Sequence, residues 1–247
     1  RITTQREEEG KPVLQYHGRW PFYRLFGAEN PASVIFSLGN AVPHFIHLFS
    51  RHELSFPDYF VSKLLFLYPI VGINAWLCSA IFHTRELAFT TNLDYISALV
   101  LLSYACILAI RRLIGPLHST GATVVVNSIF LAVVSAVGWQ ISRMLRGQVR
   151  YDQHMQVCVA LGVLHTLCWV TWYVKHRQRG YAATCLVLQA WFSAAAMLEL
   201  FDFPPVLRLF DAHAVWHLLT IPVGFLWYRF WKNDVRYEVA KGKKQED

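Results

Sequence analysis

Charge is scarce in this sequence: Asp, Glu, Lys and Arg make up only 16% of its 247 residues, against 55% hydrophobic residues. The charges that exist gather in short runs between long apolar stretches, whereas a soluble globule interleaves them, which excludes a soluble domain. Also missing are an Asn-x-Ser/Thr acceptor, a glycine-rich phosphate loop and an internal repeat. A loop-bound nucleotide and a solenoid therefore have no footing. Five cysteines, Cys78, Cys106, Cys158, Cys168 and Cys185, all fall inside apolar stretches and show no metal-type pair spacing. They read as small buried apolar residues and not as a disulfide frame. The chain opens on a polar stretch from Arg1 with neither an initiator Met nor a signal-peptide pattern, from which a longer natural precursor is expected.

What is present is apolar length. A helix needs roughly 20 mostly apolar residues to cross a bilayer core about 30 Å thick. Seven segments qualify, at 31–50, 61–83, 91–110, 121–142, 154–174, 181–201 and 212–231. The expected architecture is all-α, a polytopic membrane protein built as a seven-transmembrane helix bundle over 30–231, with an N-terminal segment 1–29 and a basic tail 232–247. The first span is the weakest, because it carries Asn40, Pro43, His44 and His47. Net charge is +7, which on a soluble chain raises nucleic-acid binding. Here the loops account for it. Arg51, Lys63, Arg111, Arg112, Lys175, Arg177, Arg179, Arg229 and the tail fall on one side, against Arg85, Arg143, Arg146, Arg150 and Arg208 on the other, once Arg1, Arg6, Lys11, Arg19 and Arg24 of the segment before the first span are left out. The positive-inside rule then places the amino terminus outside and the carboxyl terminus in the cytosol. The tail lysines are out of register for a dilysine retrieval signal, and they read as a solvated anchor.

Ionisable groups inside a span are costly and usually functional. In this orientation Ser79, His83, Asp94, His213 and His217 fall in one thin layer near the outer face, on the second, third and seventh spans. Ser79 and His83 are i and i+4, as are His213 and His217, so each pair shares a helix face. Three histidines with an open fourth position make a catalytic zinc arrangement, and water at that position has a pKa near about 7. Asp94 either orients a ligand histidine through its outer ring nitrogen or accepts the proton of the attacking water. Ser79 is placed to hydrogen-bond that water or the oxyanion, as a helper and not as the nucleophile. The bland alternatives are helix-packing histidines, an Asp94 cap and a small packing serine.

Elsewhere, His44, His47 and His165 lie off that layer and read as structural. Glu199, Asp202 and Asp211 lie near the outer mouth, where they would support a second shell or a cation, although Asp202 and Asp211 read more simply as loop residues. Trp139, Trp216, Trp227 and Trp231 sit near span ends, as an interfacial belt does. The polar layer is confined to one face with no polar path continuing to the cytosol, which speaks against a transporter.

Three stretches carry a resemblance: Asn74-Ala-Trp-Leu-Cys-Ser-Ala-Ile-Phe-His83, Thr91-Asn-Leu-Asp-Tyr95 and Asp211-Ala-His-Ala-Val-Trp-His217. They resemble the CREST superfamily of seven-helix membrane hydrolases, whose pattern S-x-x-x-H, Asp, H-x-x-x-H is matched by Ser79, His83, Asp94, His213 and His217. Within it, Tyr16-His-Gly-Arg-Trp-Pro-Phe22 is similar to a hallmark of the post-GPI-attachment-to-proteins factor 3 family. That resemblance implies zinc-dependent hydrolysis of the sn-2 acyl ester of a GPI anchor, on GPI-anchored proteins or GPI lipid, at the luminal face of an endoplasmic reticulum or Golgi membrane. It also implies a signal peptide and a Cys-containing luminal region before the first span, neither of which is read in this sequence, so a truncated precursor is expected. The ceramidase branch carries an acidic calcium cluster where this sequence offers Arg19, Trp20, Arg24, Glu29 and Asn30, so no calcium site is expected. Two alternatives stay open, a ceramidase-like amidase and a non-enzymatic receptor or chaperone with a structural zinc.

Overall fold

Every expected span becomes a helix in the computed structural model, which describes residues 2–16, 19–50, 56, 59–117, 119–148, 150–199 and 202–246. His17 and Gly18 of the hallmark stretch, and Arg51 of the loop charges, lie outside the described residues. A short α1 (Ile2–Glu8) precedes α2 (Pro31–Phe49), α3 (Ser62–Thr84), α4 (Ala88–Ile114), α5 (Thr120–Leu145), α6 (Tyr151–His176), α7 (Ala183–Ala196) and α8 (Ala212–Glu246). A 3-10 turn, Met197–Glu199, extends α7. Among the described residues no β-strand occurs, only isolated bridges.

The helix starts follow local chemistry. Pro31 occupies the first turn of α2, where a missing N–H costs nothing. The Leu87 N–H donates to Thr90 Oγ1 at the head of α4, Ser119 Oγ accepts from Ala122 N at the head of α5, and Asp211 Oδ1 accepts from Ala214 N at the head of α8. Gly115, at φ 85°, ends α4 in a conformation a side chain would resist.

Length and apolarity together mark five helices, α2 to α6, as able to cross a membrane. The count of seven is not reached on that criterion, for two different reasons. α7 has 14 residues, about 21 Å of rise, short of the hydrocarbon core unless its flanking turns add to it. α8 is long enough, but His213, His217, Thr220, Pro222 and Arg229 dilute its apolar half.

The weakest expected span turns out to be central. α2 buries Ser33, Ser37, Asn40, His44 and His47 along one stripe and exposes Ile35, Leu38, Val42, Phe45, Ile46 and Phe49 on the other face. That is the inverse of a soluble amphipathic helix: the polar stripe lies inside, where partners satisfy it, and the apolar face meets lipid. It packs against both α3 and α8. The stripe bears on the reading that no polar path continues to the cytosol, since polar groups do lie beyond the histidine layer. They lie there as bonded pairs: His44 Nδ1 with Tyr228 Oη at 2.9 Å and His47 Nδ1 with Pro43 O at 2.7 Å. The structural reading of both histidines holds, as it does for His165, which bonds Gln189 and Trp169.

Glycines set the close approach of these helices. A Cβ on Gly224 of α8 would sit 2.7 Å from the Pro43 ring of α2, and one on Gly72 of α3 would fall against the His44 ring. Gly224→Ala is therefore expected to destabilise by about 1–3 kcal/mol through overpacking, read as a lower unfolding temperature in detergent.

Toward the end remote from the histidines, α6, α7 and α8 close around Trp169, Trp172, Trp227, Phe230 and Trp231. Trp227 and Trp231 are thus core residues and not members of an interfacial belt. Trp216 packs on His213 and His217, and of the four only Trp139 is broadly exposed. α8 runs past Trp231 without a break, burying Asp234 and Val235 completely. Asp234 accepts from Arg112 Nε at 2.6 Å and from the hydroxyls of Tyr59 and Tyr181, while Glu238 accepts from both Arg112 and Arg179 at 2.6 Å. This ionic knot joins α4, α8 and the loops before α3 and α7. Nothing in the sequence spacing announces it.

Candidate functional site

The i,i+4 spacing of His213 and His217 puts both rings on the face of α8 that looks toward the end of α3, where His83 occupies the last turn. Their three Nε2 atoms converge: His83 to His217 at 3.2 Å, His83 to His213 at 3.1 Å and His213 to His217 at 2.9 Å. His83 and His217 are buried, and His213 is half-buried at the mouth. Three imidazole nitrogens facing one another cannot all be satisfied by hydrogen bonds, because each neutral ring has one N–H for two nitrogens. A cation at their centre resolves this. Tetrahedral ligands 2.0–2.1 Å from zinc lie about 3.3 Å apart, close to the observed separations. Among the described residues no fourth His, Cys, Asp or Glu joins the group, so the three histidines could hold a metal ion.

Ser79 is buried one turn before His83 on the same face. Its Oγ lies 3.1 Å from Ser37 Oγ of α2. Asp94 sits half-buried in the second turn of α4, where its backbone carbonyl accepts from Ser97 Oγ. The outer nitrogens, Nδ1, of His83 and His217 meet no acceptor among the described residues.

The site rests on more of the chain than the five motif residues. Asn40 Nδ2 of α2 donates to the His217 carbonyl at 2.7 Å, and Thr220 Oγ1 donates to the same oxygen at 2.9 Å. Asn30 N donates to the His83 carbonyl at 3.0 Å. The Trp76 and Trp216 rings flank His217 at 5.6 and 4.7 Å. α2 therefore fixes the backbones of the ligands although it supplies none. Sequence reasoning missed Ser37 and Asn40, whose only signal was that both are polar and fall on the stripe shared with His44 and His47.

The segment before α2 is clamped over the same end. Arg19 pairs with Glu86 at 2.6 Å, Arg24 with Glu29 at 3.1 Å, and Asp202 accepts from both Gln15 and Trp20. Tyr23 N donates to Arg208 O, and the Arg208 guanidinium lies over the Tyr23 ring. Burial pushes the Glu86 carboxyl above the usual range; Arg19 opposes that rise and Glu29 adds to it. The residues standing where the ceramidase branch carries its acidic cluster are thus engaged in clamps, and Glu29 is held by Arg24 and by the N–H of Glu86. Asp202 and Asp211 are clamp and cap, in line with the loop reading, and the five cysteines are free thiols.

The model of the Per1-like family matches residues 1–235. A Xenopus laevis protein named GPI-specific phospholipase A2-like PGAP3 is 33% identical over 232 residues, covering 93% of this chain and 72% of that protein. The Drosophila melanogaster post-GPI attachment to proteins factor 3 is 37% identical over 223 residues, 90% of this chain and 67% of the relative. The Schizosaccharomyces pombe PER1 homolog is 34% identical over 245 residues, 94% and 70%. No solved structure matches. With the family model spanning nearly the whole described bundle and the relatives matching at this level, the chain belongs to the Per1-like family, that of the post-GPI-attachment-to-proteins factor 3 proteins.

Proposed function

We propose that this protein is a zinc-dependent membrane lipid hydrolase that removes the sn-2 acyl chain from GPI anchors, on GPI-anchored proteins or GPI lipid. The observation that carries this reading is the convergence of the three histidine Nε2 atoms within 3.2 Å, joined to relatives whose names specify a GPI-directed phospholipase A2-like protein. In this reading α7 and α8 complete seven spans. The histidine end faces the lumen of the endoplasmic reticulum or Golgi, and the carboxyl terminus lies in the cytosol.

His83, His213 and His217 would hold the metal. Zinc in such a site supplies Lewis acidity toward a carbonyl oxygen and toward water. Asp94 takes the proton of the attacking water and returns it to the leaving glycerol oxygen. Ser79 donates its hydroxyl hydrogen to the oxyanion, and Ser37 holds that hydroxyl in place. The buried rings lie within a turn or so of the helix ends, about the depth of glycerol ester carbonyls in a bilayer, so the lipid is reached without leaving the membrane and its glycan stays in the lumen.

The test is elemental analysis of purified protein followed by an assay on diacyl GPI lipid, with ceramide as the amide control. About one zinc per chain, with release of free fatty acid and lyso-GPI, is expected. Full activity in a metal-free preparation, or cleavage of ceramide in place of the GPI ester, would overturn the reading. Ser79→Ala is expected to leave residual turnover, reduced within the roughly 10²–10³-fold that loss of one oxyanion donor costs. A trapped acyl-Ser79 intermediate would instead make Ser79 the nucleophile.

A further inference from the structure

A second polar site stands at the same end of the bundle, away from the histidines. α5 ends and α6 begins at the histidine end, and α5 packs chiefly on α4, not on α6. Between the two helices lies a cavity of about 350 Å³ lined by Gln140, Arg143, Gln153, Gln156, Val157 and Ala160. Gln140 is only 6% exposed, and no hydrogen-bond partner for its carboxamide is found among the described residues. The amide is not sealed within the protein but lines the cavity, where such groups are ordinarily satisfied by a ligand or water. Arg143 adds a cation one turn further on; its guanidinium lies 4.9 Å from the Trp139 ring and donates to Gln148 O at 3.4 Å, with no acidic partner among the described residues.

The chemistry is graded along the cleft. Arg143 on α5 and Gln153 on α6 stand nearest the helix ends, Gln140 and Gln156 lie about one turn deeper, and Val157 and Ala160 follow beside and below them. A guanidinium suits a phosphate diester, carboxamides suit hydroxyls and ester carbonyls, and an apolar floor suits the start of an acyl chain. We infer that the α5–α6 cleft binds a phospholipid of the leaflet at the histidine end, with its phosphodiester on Arg143 and its glycerol ester carbonyls on Gln140 and Gln156, one turn deeper. α4 stands between this cleft and the histidine centre, packing on α3 to one side and on α5 and α6 to the other. The inference therefore does not rest on the hydrolase reading.

The test uses purified full-length chain in detergent, titrated with phosphatidylinositol and observed by native mass spectrometry. Retention of phosphatidylinositol is expected, with dioleoylglycerol and inorganic phosphate each held at least about tenfold more weakly. Gln140→Leu and Arg143→Ala should each lower retention about tenfold or more, and Arg143→Lys should restore part of it. Gln140→Leu removes the buried amide without leaving an unsatisfied group, so it keeps the test valid if Arg143→Ala folds poorly. His217→Ala should bind the phospholipid undiminished. Equal retention of dioleoylglycerol would reduce the cleft to an apolar crevice, and equal binding of phosphate alone would make it an anion site. Either result overturns the inference, as would unchanged binding by both Gln140→Leu and Arg143→Ala, or loss of the lipid in His217→Ala.

Discussion

His217→Ala is expected to remove zinc and hydrolytic activity together, the largest catalytic effect of any single change in the chain. His217 is only 2% exposed, and its Nε2 contacts both other imidazole nitrogens. Without it, His83 and His213 remain on two different helices, and two ligands cannot define a tetrahedral site. Loss should exceed the roughly 10–100-fold in metal affinity that even outer partners of a ligand command. The fold should survive, because Asn40 and Thr220 bond the His217 backbone carbonyl and not its ring. Zinc content by elemental analysis should fall from about one per chain to near none, with fatty-acid release from diacyl GPI falling alongside it. His44→Ala is the matched control: it deletes a buried imidazole bonded to Tyr228, and zinc should stay. Zinc retained in His217→Ala at full stoichiometry would place the metal elsewhere.

The contrast between these two histidines shows what was legible in the sequence. His83, His213 and His217 could be found because helical periodicity and span direction are both written locally. An i,i+4 pair shares a face wherever it occurs, and alternating spans bring alternate ends to one layer. The backbone clamps were not legible. Asn40 is separated from His217 by 177 positions, and a polar residue in a weak span looks like evidence against the span until the neighbouring helix is known. The same blindness misplaced Trp227 and Trp231: closeness to a span end in sequence says nothing of whether the ring faces lipid or the bundle. It also made Arg112 and Arg179 look like free loop cations, since Asp234 and Glu238 appeared to belong to a solvated tail.

Asp234→Ala should give the largest loss of stability, and it should do so without touching the metal. Asp234 is fully buried, with the Arg112 guanidinium bound through two nitrogens, at 2.6 and 2.8 Å, and with Tyr181 Oη at 2.6 Å. Deleting the carboxylate leaves Arg112, itself 2% exposed, with Glu238 as its remaining charged partner. Breaking a buried pair from one side costs about 3–5 kcal/mol, because the surviving charge stays desolvated. The unfolding temperature in detergent should fall by many degrees. Asp234 lies 21 residues beyond His213 on one helix, about 30 Å at 1.5 Å per residue, so the fraction that remains folded should still carry its zinc. Pairing Asp234→Leu with Arg112→Met should recover much of the loss, because removing both charges ends the desolvation penalty that either single change creates. Failure of that double variant to recover, with the single change fully destabilising, would mean that the knot does more than neutralise itself. In that case the hydroxyls of Tyr59 and Tyr181, which also converge on Asp234, would hold the loops before α3 and α7 in place through the carboxylate alone.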